Sequence, residues 1–440
     1  MRRLFPPAAV LVCAALATAA DPATDNWPAW RGPTATGVAP ANANPPTKWD
    51  ATTNIRWKAE LPGRGSATPV VWGDRVFIAT AVKTDREAKP NELPPRDPKF
   101  EAKTNPPTHF YRFEVLCYDR DTGAVRWRHT AGEAVPHEGH HPSHSYAAGS
   151  PATDGTRLYV SFGSFGTFAY DFDGKQVWAR DFGRLRTRLA WGEAVTPVVH
   201  GDTVLLNLDQ EADSKLVALD AATGKTRWEV KRDEKTTWTT PFVVEHGKRT
   251  QVILNGTNRV RSYDLADGSL IWECGGMTTN AIPSAVAVGG VAYVVSGYRG
   301  AAAVAVPLDS TGDLGTTDKV AWRYGKGTPY VPSPLVHDGR IYFTQANSQV
   351  LTILDAKTGK PLLADERLPG VTTFYASPVA AAGRVYLVDR LGTTVVLKAG
   401  DTAEVLATNK LNDPIDASPV VAGEQLFLRG EKYLYCIEEK

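Results

Sequence analysis

An all-β fold, a single propeller of eight four-stranded antiparallel blades, is predicted by three features of the 440-residue sequence. A small residue, a proline and two or three apolar residues recur through the chain. An Asp, a Gly turn and a Trp follow in most units. The composition suits both: Gly (38) and Pro (31) make up about 16 % of the chain, against roughly 12 % in average usage, and Trp (12) far outnumbers Met (2). That mixture asks for many turns and short strands with a heavy aromatic repeated among them.

The first repeat is read in SATPVVWGDRVFIAT, VTPVVHGDTVLLNL, SPLVHDGRIYFTQ and SPVVAGEQLFLR, among others. Its markers are Pro69, Pro151, Pro197, Pro241, Pro283, Pro334, Pro378 and Pro419, spaced by 82, 46, 44, 42, 51, 44 and 41 residues. All but the first spacing fit one unit, so eight units follow. The second repeat is VLCYDRDTGAVRW, LVALDAATGKTRW and VRSYDLADGSLIW. Asp119, Asp220 and Asp264 precede Trp127, Trp228 and Trp272 by eight residues each, and Asp355 heads a similar turn. Asp with Gly suits a tight hairpin, because the carboxylate accepts backbone N–H groups while Gly supplies a positive φ. Trp178 and Trp322 hold the Trp position in two further units. Leu363 replaces Trp in blade six and blade seven keeps neither mark, so weaker contacts are expected there. Four strands per unit of this length, arrayed about an axis, make a propeller with the Trp residues packed between sheets. By that reading the repeated Asp and Trp residues are structural.

The chain ends close the ring. Only 21 residues follow Pro419, enough for three strands, while Trp57 in NIRWKAEL precedes Pro69 by twelve residues, as other repeat Trp residues precede their prolines. The N-terminal strand should therefore complete the last blade and remove an open sheet edge. The expected organisation is a signal segment (1–19), an N-terminal extension (20–53) and the propeller (54–440), with a proline-rich insertion (83–112) in blade one expected to be extended and solvated.

Several classes are excluded. Lys plus Arg number 49 against 48 Asp plus Glu, a net charge of +1, so no broad field favours nucleic acid. Arg2 and Arg3, the apolar run from Ala8 to Ala17 and the Ala17-Thr18-Ala19 site read as an export signal, which places the mature protein in the periplasm or outside the cell. No run reaches the roughly 20 apolar residues of a membrane span, and a monomer is expected. Beyond Cys13 in the leader, Cys117, Cys274 and Cys436 remain. Cys117 and Cys436 fall at one strand position in neighbouring blades, too far apart for a disulfide, and read as core thiols.

The Asp-x-x-Thr-Gly-x-x-x-Trp units resemble the tryptophan-docking repeats of the pyrroloquinoline-quinone (PQQ) propeller superfamily over residues 54–440. The opening WPAWRGPTATG, with Trp27, Trp30, Arg31, Gly32 and Pro33, is similar to the start of exported bacterial PQQ-repeat-like proteins. The resemblance implies two possible roles. One is that of quinoprotein dehydrogenases, with PQQ on a calcium held by acidic and amide side chains, an Asp base and, in many, a disulfide of adjacent cysteines. The other is that of a propeller lipoprotein of outer-membrane assembly that binds no quinone. This sequence has no Cys-Cys pair and lean loops.

Function belongs on the face that carries the links between blades, because loops hold the variation that makes sites. His137, His140, His141 and His144 crowd one link beside Glu138 and are candidate ligands for a transition metal; the alternative is a polar surface loop. Arg184, Arg186 and Arg188, alternating before Trp191, are candidates to grip an anion, or form a solvated basic edge. Equivalent links supply Arg64, Trp238, Asn280, Tyr330, Tyr375 and Asp416. Together they describe an aromatic and polar funnel for a small anionic or sugar-like ligand or a partner's peptide. A non-catalytic binding or scaffolding propeller is the favoured reading, a PQQ-dependent dehydrogenase the alternative, and a metal-assisted hydrolase at the His loop a third.

Overall fold

The computed structural model describes residues 25–95, 98–315 and 319–439; the export signal lies outside them. Among these residues the chain forms eight sheets around an axis, seven of four strands and one of five. Pairing within each four-stranded blade is antiparallel in sequence order, save for the last. There the strand Ile55–Glu60 lies against Tyr433–Ile437, with Trp57 opposite Cys436, and closes the ring. None of the described helices is long and apolar enough to cross a membrane.

Each blade's second strand is an apolar run buried on both sides, as Val204, Leu205 and Leu206 show. Outside blades six and seven, each outermost strand carries a Trp. The Trp side chains lock neighbouring blades in one repeated manner. Trp178 Nε1 donates to Ala221 O (2.9 Å) in the next blade, and its ring covers Gly224, where an added Cβ would come within 2.7 Å of it. Trp57, Trp127, Trp228 and Trp322 donate likewise to Arg120, Phe172, Leu265 and Ala356 carbonyls. Asp119 and Asp220 each accept the backbone N–H and hydroxyl of a Thr three residues on, and an Arg (Arg126, Arg227) seven residues on. The Arg and the Thr together pull each of these carboxyls down to about 2. Trp272 departs from the pattern. Blade five lacks the Asp-Thr-Gly turn, so the fully buried Trp272 donates to Gln251 Oε1 (3.2 Å) in its own blade, and Gly312–Asp313 adds a fifth, parallel strand there.

The extension before the ring runs across its axis. Trp27 exchanges backbone hydrogen bonds with Val71 in blade one, Pro28 accepts from Thr153 in blade two, and Gly37 accepts from Ala380 in blade seven. Between them the buried Arg31 donates to Thr36 O, Pro334 O and Pro378 O. It has no carboxylate partner among the described residues, and burial lowers its pKa to about 9. Farther on, Trp49 stacks on Tyr386 (ring centroids 6.5 Å), and its backbone N–H donates to Asn409 Oδ1 (2.9 Å) in blade seven.

None of the described residues of the insertion in blade one is buried, and it is held at a few points. Its flanks prolong a hairpin, with Lys83 opposite Tyr111 and Glu87 opposite His109. Its far end docks on the link between blades two and three, where Lys103 N donates to Leu189 O (2.9 Å). Aromatic packing draws it inward: Tyr111 meets Tyr146 edge-on at 4.9 Å. Cys117, Cys274 and Cys436 are buried free thiols, and desolvation pushes Cys117 up to about 12.

Candidate functional site

Where the innermost strands converge, a ring of hydroxyls surrounds the axis. Thr68 N donates to Ser150 Oγ, Ser150 N to Thr196 Oγ1, Thr240 N to Ser284 Oγ, Ser284 N to Ser333 Oγ, Ser333 N to Ser377 Oγ, Ser377 N to Ser418 Oγ and Ser418 N to Thr68 Oγ1. Each blade thereby holds its neighbour through one hydroxyl, and only the step from Thr196 to Thr240 lacks such a bond. The small residue of the repeat is thus a Ser or Thr in every blade. In blade five it follows Pro283 instead of preceding the proline, which hides it from a reading keyed on proline. Each of these hydroxyls except that of Thr240 accepts a backbone N–H and retains its own proton.

Above the ring lies an axial pocket of about 510 Å³, within the range of small-molecule sites. Thr68, Ser150, Thr196, Thr240, Ser377 and Ser418 line its base. Trp30 closes the floor from the extension, donating from Nε1 to Ser418 Oγ (3.3 Å). The walls are aromatic. Trp191 and Trp238 stack at 6.5 Å and 28°, held by a hydrogen bond from Trp238 Nε1 to Gly192 O (2.8 Å). Tyr298 and Tyr330 lie 4.8 Å apart across from them in chain order, and Tyr375 is covered by the Arg390 guanidinium at 4.0 Å. Asp416 is the one carboxylate of the lining, and Arg390 engages both its oxygens at 2.6 and 3.1 Å.

The link residues proposed from sequence fall into two groups. Trp191, Trp238, Tyr330, Tyr375 and Asp416 line the pocket. Arg64 pairs with Glu431 (2.6 Å) at a side chamber, and Asn280 is buried beside Tyr330. Arg184, Arg186 and Arg188 do not line the pocket. Leu185 and Thr187 between them are buried, while Arg184 is exposed and Arg186 and Arg188 are half-buried. A reversal at Leu189 and Ala190, at φ 54° and 55°, then turns the chain and delivers Trp191 alone to the mouth. Arg188 stands close enough to Tyr330 to favour its phenolate, yet burial dominates and raises that hydroxyl to about 12.

Two of the four histidines, His140 and His144, lie 6.5 Å apart between ring centroids, and the others point elsewhere. His137 is buried and bonded through Nε2 to Leu185 O (2.7 Å), with Glu193 at 3.8 Å and Glu138 at 4.0 Å. His140 packs edge-on against Tyr146, the exposed His141 against Trp191, and His144 turns to its neighbour Ser145. Desolvation pulls His137 and His144 down to about 4, so both are neutral at physiological pH. Among the described residues no group of three or more His, Cys, Asp or Glu is placed to hold a metal ion. Glu193 accepts Ser164 N and Oγ (both 2.6 Å), and burial raises it to about 8.

Sequence reasoning overlooked Trp30, Tyr298 and the hydroxyl ring. The ring had a signal, the Ser or Thr before most marker prolines. Tyr298 sits in a loop within blade five and had none.

Comparison with known proteins follows this geometry. No curated protein matches the sequence. Among solved structures, BamB from Moraxella catarrhalis is 12 % identical with a TM-score of 0.53, over 81 % of this chain and 98 % of its own. Quinohemoprotein alcohol dehydrogenase from Comamonas testosteroni is also 12 % identical, with a TM-score of 0.63 over 95 % of this chain and 81 % of its own. At such identity both likenesses speak to the fold. The sequence itself matches one family over residues 112–362 and again over 257–439. With eight blades, five of them docked on the next by a tryptophan, the chain belongs to that family of PQQ-like repeat propellers, described as outer membrane protein assembly factor BamB.

Proposed function

We propose that this chain is an exported, non-catalytic binding propeller whose axial pocket holds a small, neutral, polyhydroxylated ligand of the sugar type. The observation that carries this reading is the pairing of flat aromatic walls with a floor of hydroxyl groups. Apolar C–H faces pack on Trp and Tyr rings, while Ser and Thr hydroxyls exchange hydrogen bonds with the ligand's own. The lining offers no free cation to draw an anionic ligand into the main chamber, because Arg390 is engaged by Asp416.

The dehydrogenase alternative asks more of the pocket than its side chains supply. A quinone bearing carboxylates, with its calcium, needs cationic and several oxygen donors, hard ligands for a hard ion. The lining has a single carboxylate, already ion-paired, and no Asn or Gln. The donor set does not fit the group. Scaffolding of a protein partner, the role named for the family, would use the same open face.

Tryptophan fluorescence titrated with neutral mono- and disaccharides tests the reading, since Trp30, Trp191 and Trp238 line the pocket. A saturable change that Trp238→Ala abolishes is the expected result. No response to any sugar in the wild-type protein, or dye reduction upon addition of PQQ with calcium, overturns it.

A further inference from the structure

A second chamber opens beside the axial pocket and shares Ser66, Ser143, His144 and Asp416 with it. Its volume is about 20 Å³, room for one water-sized or halide-sized species. Arg429, only 1 % exposed, forms part of its wall. Nη1 donates to Ala67 O (2.9 Å), but Nε and Nη2 find no acceptor among the described residues. Nη2 lies over Gly65, another residue of the chamber, where a Cβ would come within 2.1 Å of it.

The position itself shows that the charge is surplus to the fold. Strand register places Asn207 in blade three and Asn255 in blade four at the equivalent site. Asn207 Nδ2 donates to Thr239 O (3.0 Å) and Asn255 Nδ2 to Pro283 O (2.9 Å), each the carbonyl just before the next blade's ring hydroxyl. Arg429 makes the same bond to Ala67. A neutral amide therefore suffices to fasten the link, whereas a buried, unpaired guanidinium is costly. The carboxylates nearby are committed: Asp416 to Arg390 and Glu431 to Arg64. One positive charge is left over, with Ser66, Ser143 and Ser145 around it; the Ser66 and Ser145 hydroxyls bond each other at 3.4 Å, and Ser143 Oγ meets His141 Nδ1 at 2.7 Å.

We propose that this side chamber binds a compact monovalent anion against Arg429, either a free halide or the carboxylate of a ligand seated in the axial pocket. The halide form does not depend on the sugar reading; the carboxylate form rests on its aromatic and hydroxyl contacts, with an acidic sugar in place of the neutral one.

Crystals of the full chain grown with sodium bromide, and separately with glucuronate or glucose, decide between them. Anomalous density for bromide within hydrogen-bonding distance of Arg429 Nη2 or Nε, lost in Arg429→Asn, supports the free ion. A glucuronate carboxylate at Arg429 with its ring in the axial pocket supports the delivered one. A chamber holding only water under both conditions overturns the proposal, as does bromide retained in Arg429→Asn. If that variant does not fold, the wild-type maps decide alone. Glucose in the axial pocket with neither anion at Arg429 sinks this proposal and spares the sugar reading; bromide at Arg429 with no sugar bound does the reverse.

Discussion

The seam between blades two and three and the seam between blades seven and eight solve one problem with different material. In the first, Trp178 reaches from an outermost strand onto the glycine of the next blade's turn. In the second, blade seven brings no tryptophan, and Trp49 enters from the N-terminal extension to stack on Tyr386, with Pro45 and Pro46 carbonyls accepting the Tyr386 hydroxyl. Trp49 joins the same buried cluster as Val388, Leu411 and Leu426 from both blades. The weaker contact expected from sequence is thus reinforced from outside the ring. A degenerate repeat is tolerated where another segment supplies the lost volume.

The comparison breaks most sharply under truncation. Trp178→Ala should cost about 3–5 kcal/mol in urea unfolding, the usual range for a large buried aromatic. If Trp49 truly stands in for a docked tryptophan, Trp49→Ala should cost a similar amount, since it is only 4 % exposed. A loss below about 1 kcal/mol, typical of surface substitutions, would show that the extension merely lies against a ring complete without it.

A smaller effect sharpens the account of docking. Gly224 and Gly201 both sit at positive φ, 69° and 56°, but a Cβ at Gly224 meets Trp178 whereas one at Gly201 meets nothing within 4 Å. Gly201→Ala should lose only the left-handed backbone penalty of about 1–2 kcal/mol. Gly224→Ala should lose about 1–3 kcal/mol more through overpacking. Equal losses in thermal unfolding would mean that the Trp ring shifts freely and that docking contributes little.

The same contrast explains what could be read from sequence. Period reveals whatever repeats, so the prolines, the Asp-Gly turns and the Trp residues give blade number, and Trp57 gives ring closure. The extension repeats nothing. Its hold on blades one, two and seven is mostly backbone to backbone, as between Trp27 and Val71, which side-chain identity does not announce. Alternation led to the expectation that Arg184, Arg186 and Arg188 project to one side. It could not tell which side, because the reversal rests on two non-glycine residues, Leu189 and Ala190, at positive φ. The pocket's aromatics were legible because equivalent links put one residue each at the mouth; Arg429 was hidden within a strand that reads as core.

The smallest expected effect concerns the buried link between the first two inter-blade loops, where His137 faces Glu193 and Glu138. Burial raises Glu193 to about 8, so the folded protein holds a proton there that the unfolded chain releases at ordinary carboxylate pH. Its contribution is whole below the unfolded value and is lost as pH rises toward 8. His137, lowered to about 4, works in the opposite sense: the unfolded chain binds the proton first, so stability falls as pH drops from the ordinary imidazole range toward 4. Above that range the histidine term is constant, and Glu138, also raised by burial, acts in the same sense as Glu193. Denaturant midpoints should therefore decline between about pH 6.5 and 8, and Glu193→Gln, which keeps an acceptor for Ser164 without the charge, should flatten the decline. A slope unchanged by that substitution would place the titration elsewhere and leave the seam between these loops held by packing alone.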